Sequence, residues 1–196
     1  MFFVVIIASL PLGFVFTMMA RSRIWPLKWF SMAFIYVMRG TPLLLQLFFI
    51  YFGLPFLPFV GPYLTFDRLT AAIIGFVLNY AAYFAEIYRG GLMAVDKGQY
   101  EAAQVLGLNK MQTIFKIVMP QMFRVALPTI TNESITLVKD TSLLYAVAVP
   151  ELLHFTKTTA NSTGDPSVYL ISAIIYLIMN TILTLILKQV EKKMEF

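Results

Sequence analysis

Residues Val168–Leu187 read VYLISAIIYLIMNTILTLIL, twenty positions in a row without a charge. An apolar helix of about 20 residues is what it takes to cross the hydrocarbon core of a bilayer. In that solvent every backbone N–H and C=O must be paired within the segment, so the run can fold only as a helix. Four other stretches meet the same test less cleanly: Phe2–Ala20, Pro42–Val60, Leu69–Tyr88 and Ala126–Val149. The first carries Pro11 and Gly13, which can kink it, and the second ends in Pro55 and Pro58. The last carries Lys139 and Asp140 inside its length. The expectation is an all-α integral membrane protein with five transmembrane helices forming one domain over residues 1–196. Composition agrees, since only 13% of residues are charged, about half the share that keeps a water-facing domain soluble.

The distribution of Lys and Arg gives the orientation. With five spans, one side receives Arg21, Arg23, Lys28, Arg39, Arg89, Lys97, Lys110, Lys116, Arg124, Lys188, Lys192 and Lys193. The other receives Arg68 and Lys157. The C-terminus is therefore expected in the cytoplasm and the N-terminus outside. The net charge of +5 is an orientation signal and does not indicate nucleic-acid binding. Met1 opens directly on an apolar run. No basic residue precedes it and no small-residue cleavage site follows, which disfavours a signal peptide and suggests a truncated or late start.

Several chemistries are excluded early. There is no cysteine and a single histidine, His154, which removes disulfides, thiol nucleophiles and the usual metal-ligand sets. No catalytic residue and no metal site are expected. No GxxxxGK[ST] loop is present to cradle nucleotide phosphates.

The longest polar stretch lies between the third and fourth spans, Glu101–Pro120, EAAQVLGLNKMQTIFKIVMP. Met111, Ile114, Phe115 and Val118 recur at helical spacing, and Asn109, Gln112, Thr113 and Lys116 repeat it on the opposite face. Asn109 followed by Gln112 makes a capping box that starts a helix near Lys110. Gly107 suits the left-handed end of a preceding helix, Gln99–Leu106, and Pro120 suits a turn into the fourth span. Such a helix can rest in the lipid interface or dock on a partner. Its mostly uncharged polar face and the small residues Ala102 and Ala103 favour docking.

Polar residues inside spans are costly, so each is a functional candidate. Asn79, Tyr83, Glu86 and Gly90 form one helical stripe, and Thr129, Asn132, Glu133, Thr136 and Asp140 form another, with Lys139 and Thr141 beside it. Two such faces should meet across a shared aqueous cavity near the midplane. Glu86 can instead pair with Arg89 at i+3, and Asn79 can serve an interhelical hydrogen bond. Arg39-Gly40-Thr41-Pro42 reads as a helix start at the cytoplasmic surface, and His154 and Lys157 as members of an outer loop.

These residues also resemble a known family. Glu101-Ala102-Ala103, then Gly107, Ile117 and Pro120, is similar to the EAA loop (about residues 97–120) of bacterial ABC importer permeases, with Met119 where leucine is common. RGTPLLLQLFFIYFGLP (Arg39–Pro55), NYAAYFAEIYRGGLMAVDKGQYEAA (Asn79–Ala103) and VKDTSLLYAVAVPELL (Val138–Leu153) resemble its polar amino acid subfamily. The resemblance implies a type I, MetI-like importer fold and a coupling helix in which Glu101, Ala102, Ala103, Gly107 and Pro120 meet a separate ATPase subunit. It further implies two copies of that ATPase, which would bind ATP and Mg, so that this chain carries no cofactor. A second permease subunit, identical or related, an extracytoplasmic solute-binding protein and an amino acid substrate complete the expected assembly, in the bacterial cytoplasmic membrane. An ion-driven secondary transporter would need no coupling helix and would usually show internal repeats, and a channel would not explain the EAA loop. An intramembrane enzyme lacks its catalytic constellation.

Overall fold

The computed structural model describes residues 1–59 and 61–194. Helices follow one another as α1 (Phe2–Ala20), α2 (Trp25–Gly40), α3 (Leu43–Phe48), α4 (Arg68–Ala94), α5 (Lys97–Val105), α6 (Lys110–Gln112), α7 (Met119–Asp140), α8 (Leu152–Thr163) and α9 (Ser167–Met194), and no strand occurs among the described residues. Short π and 3-10 turns carry α3 on to Phe56 and α7 on to Val147, and a π turn over Thr113–Val118 joins α6 to α7.

The centre of the fold is α4. Asp67 starts it, its carboxylate accepting hydrogen bonds from the Leu69 and Thr70 amides at 3.1 Å, the standard device for the unpaired donors of a first turn. Phe76, Tyr80, Phe84 and Tyr88 are buried along α4 and form the spine of the core with Val5, Leu47, Met122 and Leu137. α1 lies parallel to α4, because Gly13 faces Ala81 and Phe84 while Thr17, further along, donates to the Ala85 carbonyl at 2.9 Å. A Cβ at Gly13 would stand 2.8 Å from the Ala81 oxygen. Small residues at the crossing therefore let the two backbones touch, as membrane helices do in the absence of a hydrophobic drive between them. Gly91 does the same against the Met122 carbonyl of α7.

Three helices, Phe2–Ala20, Arg68–Ala94 and Ser167–Lys193, are long and apolar enough to cross a membrane alone. A fourth crossing is available from a bent pair, Trp25–Gly40 with Leu43–Phe56, which turns through 110°. This corrects the reading of a single span over Pro42–Val60; Val60 itself lies outside the described residues. α2 runs back along α4. Phe34 stacks on Phe16, Ile35 packs with Ala81, Ala82 and Ala85, and the Met38 carbonyl accepts from Asn79 at 3.1 Å. α3 then continues toward the Arg68 end, where Leu47 and Ile50 flank Gly75 and Tyr51 accepts from Arg68. Arg39–Pro42, expected as a helix start at the cytoplasmic surface, instead spans the break: Arg39 and Gly40 end α2, and Pro42 caps α3 beside the middle of α4.

The fourth span is also displaced. It begins as α7 at Met119 and its α-helical part stops at Asp140, so Thr141–Val147 is a 3-10 segment where the α-helix was expected to run to Val149. Nor does the chain turn at Pro120, which sits inside a continuous helical path. Proline supplies no N–H to the carbonyl four residues back. The wide turn just before it, in which Met119 N–H reaches Ile114 O, absorbs the mismatch. Of the five expected spans, length and hydropathy account for up to four. α7, with its polar face, is not among them.

Candidate functional site

The two interrupted helices meet. A cavity of about 250 Å³ is lined by Thr41, Pro42 and Leu43 from the break after α2, by Asn79, Tyr80 and Tyr83 from α4, and by Glu133, Thr136 and Asp140 from α7. The break leaves the last carbonyls of α2 without helical partners, and side chains take them over. Thr41 Oγ1 donates to the Val37 carbonyl at 2.8 Å, and the Gln46 amide donates to Met38 O at 2.9 Å and to Thr41 Oγ1 at 2.8 Å. Asn79, 5% exposed, donates to Met38 O and, at 3.0 Å, to Gln46 Oε1. The kink is therefore held by side-chain hydrogen bonds to the Val37 and Met38 carbonyls. Across the cavity Tyr80 Oη donates to Asp140 Oδ2 at 2.7 Å, tying the end of α7 to the middle of α4.

The two polar stripes read from sequence do face one another, through Asn79 and Tyr83 on one side and Glu133, Thr136 and Asp140 on the other. Asn79 makes the interhelical hydrogen bond considered for it while also lining the cavity. Glu86 lies one turn further along α4 and does not line it. It accepts a two-pronged hydrogen bond from Arg89, with Nε at 3.0 Å from Oε2, and stands 3.6 Å from Arg39 Nη1. Lys139 points away and is exposed, as are Thr129, Asn132 and Gly90. Thr141 lines a different, apolar pocket with Phe2, Phe3 and residues of α9. No lysine or arginine lines the cavity, whereas two carboxylates do. Tyr80, Thr41 and Gln46 escaped the sequence reading. Tyr80 is an aromatic in an apolar run, 100° off the stripe, and nothing but its hydroxyl separates it from core. His154 and Lys157 lie on α8 and not in a loop; Lys157 sits over the Tyr145 ring at 4.5 Å.

The segment between α4 and α7 has the form expected. α5 ends at Val105, and Gly107 takes φ +73°. Leu108 N–H donates to Ala103 O and Gly107 N–H to Gln104 O, both at 3.0 Å, a paired closure that uses the left-handed residue glycine tolerates best. Asn109 and Gln112 exchange reciprocal bonds of 2.9 Å at the start of α6. Ala103 is buried, Glu101 and Ala102 are exposed, and Gln121 donates to Gln99 at 3.0 Å to fix α5 against α7. The apolar face departs in one respect: Met111, Ile114 and Phe115 are exposed, but Val118 is buried, as is Thr113 from the polar face. The π turn shifts the register between them. With Val105 at 88% and Leu106 at 77% exposure, the tip of the segment carries a cluster of bare apolar side chains beside the exposed polar residues Gln104, Asn109 and Lys110.

Comparison with known proteins places these features. Residues 2–196 match the family described as the binding-protein-dependent transport system inner membrane component. The chain is 39% identical over 192 residues to the probable amino-acid ABC transporter permease protein YckA of Bacillus subtilis (strain 168), covering 97% of this chain and 83% of that one. It is 36% identical to the L-cystine transport system permease protein TcyB of the same organism, over 91% of this chain and 76% of the relative. With the arginine ABC transporter permease protein ArtQ of Escherichia coli (strain K12) it shares 34% identity over 95% and 87%. Among solved structures, that of an amino acid ABC transporter with histidines aligns with TM-score 0.88 and 30% identity, covering 98% of this chain and 88% of that one. The inward-facing MetNI methionine ABC transporter aligns at 0.77 and 19% identity, over 100% and 89%, and so shares the fold. The chain belongs to the binding-protein-dependent transport system inner membrane component family, as the permease subunit of an amino acid ABC importer.

Proposed function

We propose that this permease moves a polar or basic amino acid, with cystine within that range, through the cavity between α4 and α7. The observation that carries the reading is the lining itself: Glu133 and Asp140 with no cation among the lining residues. Two carboxylates facing one cavity inside a helix bundle favour a ligand bearing an ammonium or guanidinium group. The cavity lies where two helices are interrupted, halfway along α4, and transporters place their sites at such interruptions near the bilayer midplane. Relatives named for arginine and cystine fit this class. Asn79, Tyr83, Thr136 and Tyr80 shape the route, while Glu86, Lys139 and Thr141 stand outside its lining.

In this reading residues 1–196 form one permease domain with five crossings, the bent α2–α3 pair counted as one and α7 as another. The N-terminus and the Arg68 end of α4 face outward, and the 97–120 segment and C-terminus face the cytoplasm, as the positive residues dictate. The exposed apolar tip around Gly107, with Glu101, Ala102 and Ala103 beside it and Pro120 at its base, is the surface that docks on a separate ATPase. Two ATPase copies bind ATP and Mg, and their closure pulls the docking segments together. ATP shifts the inward–outward equilibrium only by its differential affinity for the two states. A second permease copy or relative and an extracytoplasmic binding protein complete the machine.

The test is uptake in proteoliposomes carrying the permease with its co-purified ATPase. Accumulation of a cationic amino acid should require ATP inside and binding protein outside. ATP-independent uptake by this chain alone, driven by an ion gradient, would establish the secondary-transporter reading instead.

A further inference from the structure

Arg39 sits in the last turn of α2, just before the break that lines the cavity, and its placement is unusual. It stands 3.6 Å from Glu86 Oε1, beyond hydrogen-bond length, and its guanidinium carbon lies 5.5 Å from the centre of the Tyr83 ring. Tyr83 lines the cavity. Arg89, by contrast, is fixed to Glu86 by two hydrogen bonds and does not line the cavity. One carboxylate therefore serves two arginines, gripping one and attracting the other. Arg39 is held by charge and by an aromatic face, both non-directional attractions, and its side chain is 40% exposed.

We propose that Glu86, anchored by Arg89, holds the Arg39 guanidinium out of the cavity, and that Arg39 is a displaceable internal cation competing with a cationic substrate for Glu133 and Asp140. The chemistry of its present seat, a carboxylate beside a tyrosine face, is the chemistry the cavity offers a ligand cation one turn away. Released from Glu86, the long arginine stem can follow the Tyr83 ring toward Glu133. The lining would then fall from two uncompensated carboxylates to one, and the space would be filled. Glu86 acts in this scheme as a positioning residue: it sets affinity for a cation by keeping the internal cation occupied. The scheme rests on the cavity being the cation route.

The experiment uses the permease co-purified with its ATPase and without binding protein, so that binding reads the cavity alone. The probes are L-arginine and L-glutamine, similar in length and different in charge. Glu86→Gln should weaken L-arginine binding at least about tenfold and L-glutamine binding less than about threefold, since only the cation competes with Arg39. Adding Arg39→Gln in the same chain should bring L-arginine affinity back to within about threefold of the parent. A double variant as weak as Glu86→Gln, or weaker, overturns the proposal, because a bridge that merely ties α2 to α4 gains nothing from loss of its second partner. If Glu86→Gln does not assemble, Arg39→Gln alone decides. Because Glu86 already keeps Arg39 out, L-arginine affinity that is kept or tightens by less than about threefold, with L-glutamine unchanged, supports the scheme, and equal losses for both overturn it. Glu133→Gln and Asp140→Asn separate this scheme from the reading beneath it. If they abolish L-arginine binding while Glu86→Gln leaves it unchanged, only the Arg39 scheme fails. If they leave it unchanged, the cavity reading fails with it.

Discussion

The cavity between α4 and α7 and the segment around Gly107 are both departures from plain membrane helix, and they are finished in opposite ways. At the cavity the Val37, Met38 and Thr41 carbonyls at the α2 break accept from side chains of this same chain, and Asp140 is held by Tyr80. At the Gly107 segment the backbone is equally complete, with a paired closure at one helix end and a capping box at the next. Its side chains are not complete, for Val105, Leu106, Met111 and Phe115 have nothing over them. In the function proposed above, the first region holds its shape around a small solute, and the second, with its backbone closed and its apolar surface bare, is covered by another protein.

The sharpest way to break this contrast is Asp140→Asn. The amide oxygen can still accept the Tyr80 hydrogen bond, so the tie between α4 and α7 survives while the charge is lost. A charged hydrogen-bond partner contributes about 1.5–3 kcal/mol, which is roughly a ten- to 150-fold loss in affinity for a basic amino acid. Association with the ATPase should not change. If pull-down of the ATPase falls as steeply as substrate binding, the two regions are not separable and the contrast is wrong.

Gly107→Val attacks the other region. At φ +73° a β-branched residue is strained by roughly 1–2 kcal/mol, with no neighbour within 4 Å to clash and no effect on the buried helices. The closing bonds to Ala103 and Gln104 should open, splaying α5 from α6. Expected is a drop of about five- to 30-fold in substrate-stimulated ATP hydrolysis, with membrane insertion and L-arginine binding as in the parent chain. Loss of binding in the same measure would show that the segment shapes the cavity and does not merely receive a motor.

How much of this was legible differs for the two regions, for a physical reason. The Gly107 segment is organised by local signals, a glycine that must be left-handed and an Asn–Gln pair three residues apart, and such signals sit in consecutive residues. The cavity is organised by interruptions that local patterns hide. Trp25–Gly40 is amphipathic, with Lys28 near its start, and looks like a connector; only the structure shows it packed on α1 and α4 and paired with α3 in a bent unit long and apolar enough for one crossing. Thr141–Val149 is apolar enough to continue a span, yet the helix tightens at Thr141 and Ala148 takes a left-handed φ of 54° without a glycine to announce it. The register slip that buries Val118 and Thr113 depends on a π turn answering Pro120, which heptad or 3.6-residue counting cannot register. The polar stripes were legible because charge in a span is rare. Which of their members line the cavity was not, since that depends on where each helix stops.

The smallest expected effect compares two helix-starting caps of different chemistry. Asp67 starts α4 and accepts the Leu69 and Thr70 amides; Asn109 starts α6 and accepts the Gln112 amide. Only the first can titrate. The bonds from Thr70, side chain and backbone, and from Leu69 hold the exposed Asp67 carboxyl below its ordinary value of 3.8. A depressed carboxyl adds stability that is fully present above the unfolded value and is lost as pH falls through the folded one. Acidification from pH 6 to below the carboxylate range should therefore speed hydrogen exchange at the Leu69 and Thr70 amides, after correction for the intrinsic rate. The Gln112 amide, bonded to Asn109, should show no such step. Asp67→Asn should flatten the acid response at Leu69 and Thr70 and leave Gln112 as before. Because the cap lies at the Arg68 end of α4, beyond the cavity, none of these changes should alter L-arginine binding at neutral pH. A parallel acid step at Gln112 would mean that loosening of α4 reaches the Gly107 segment, and that the two regions share one folding unit.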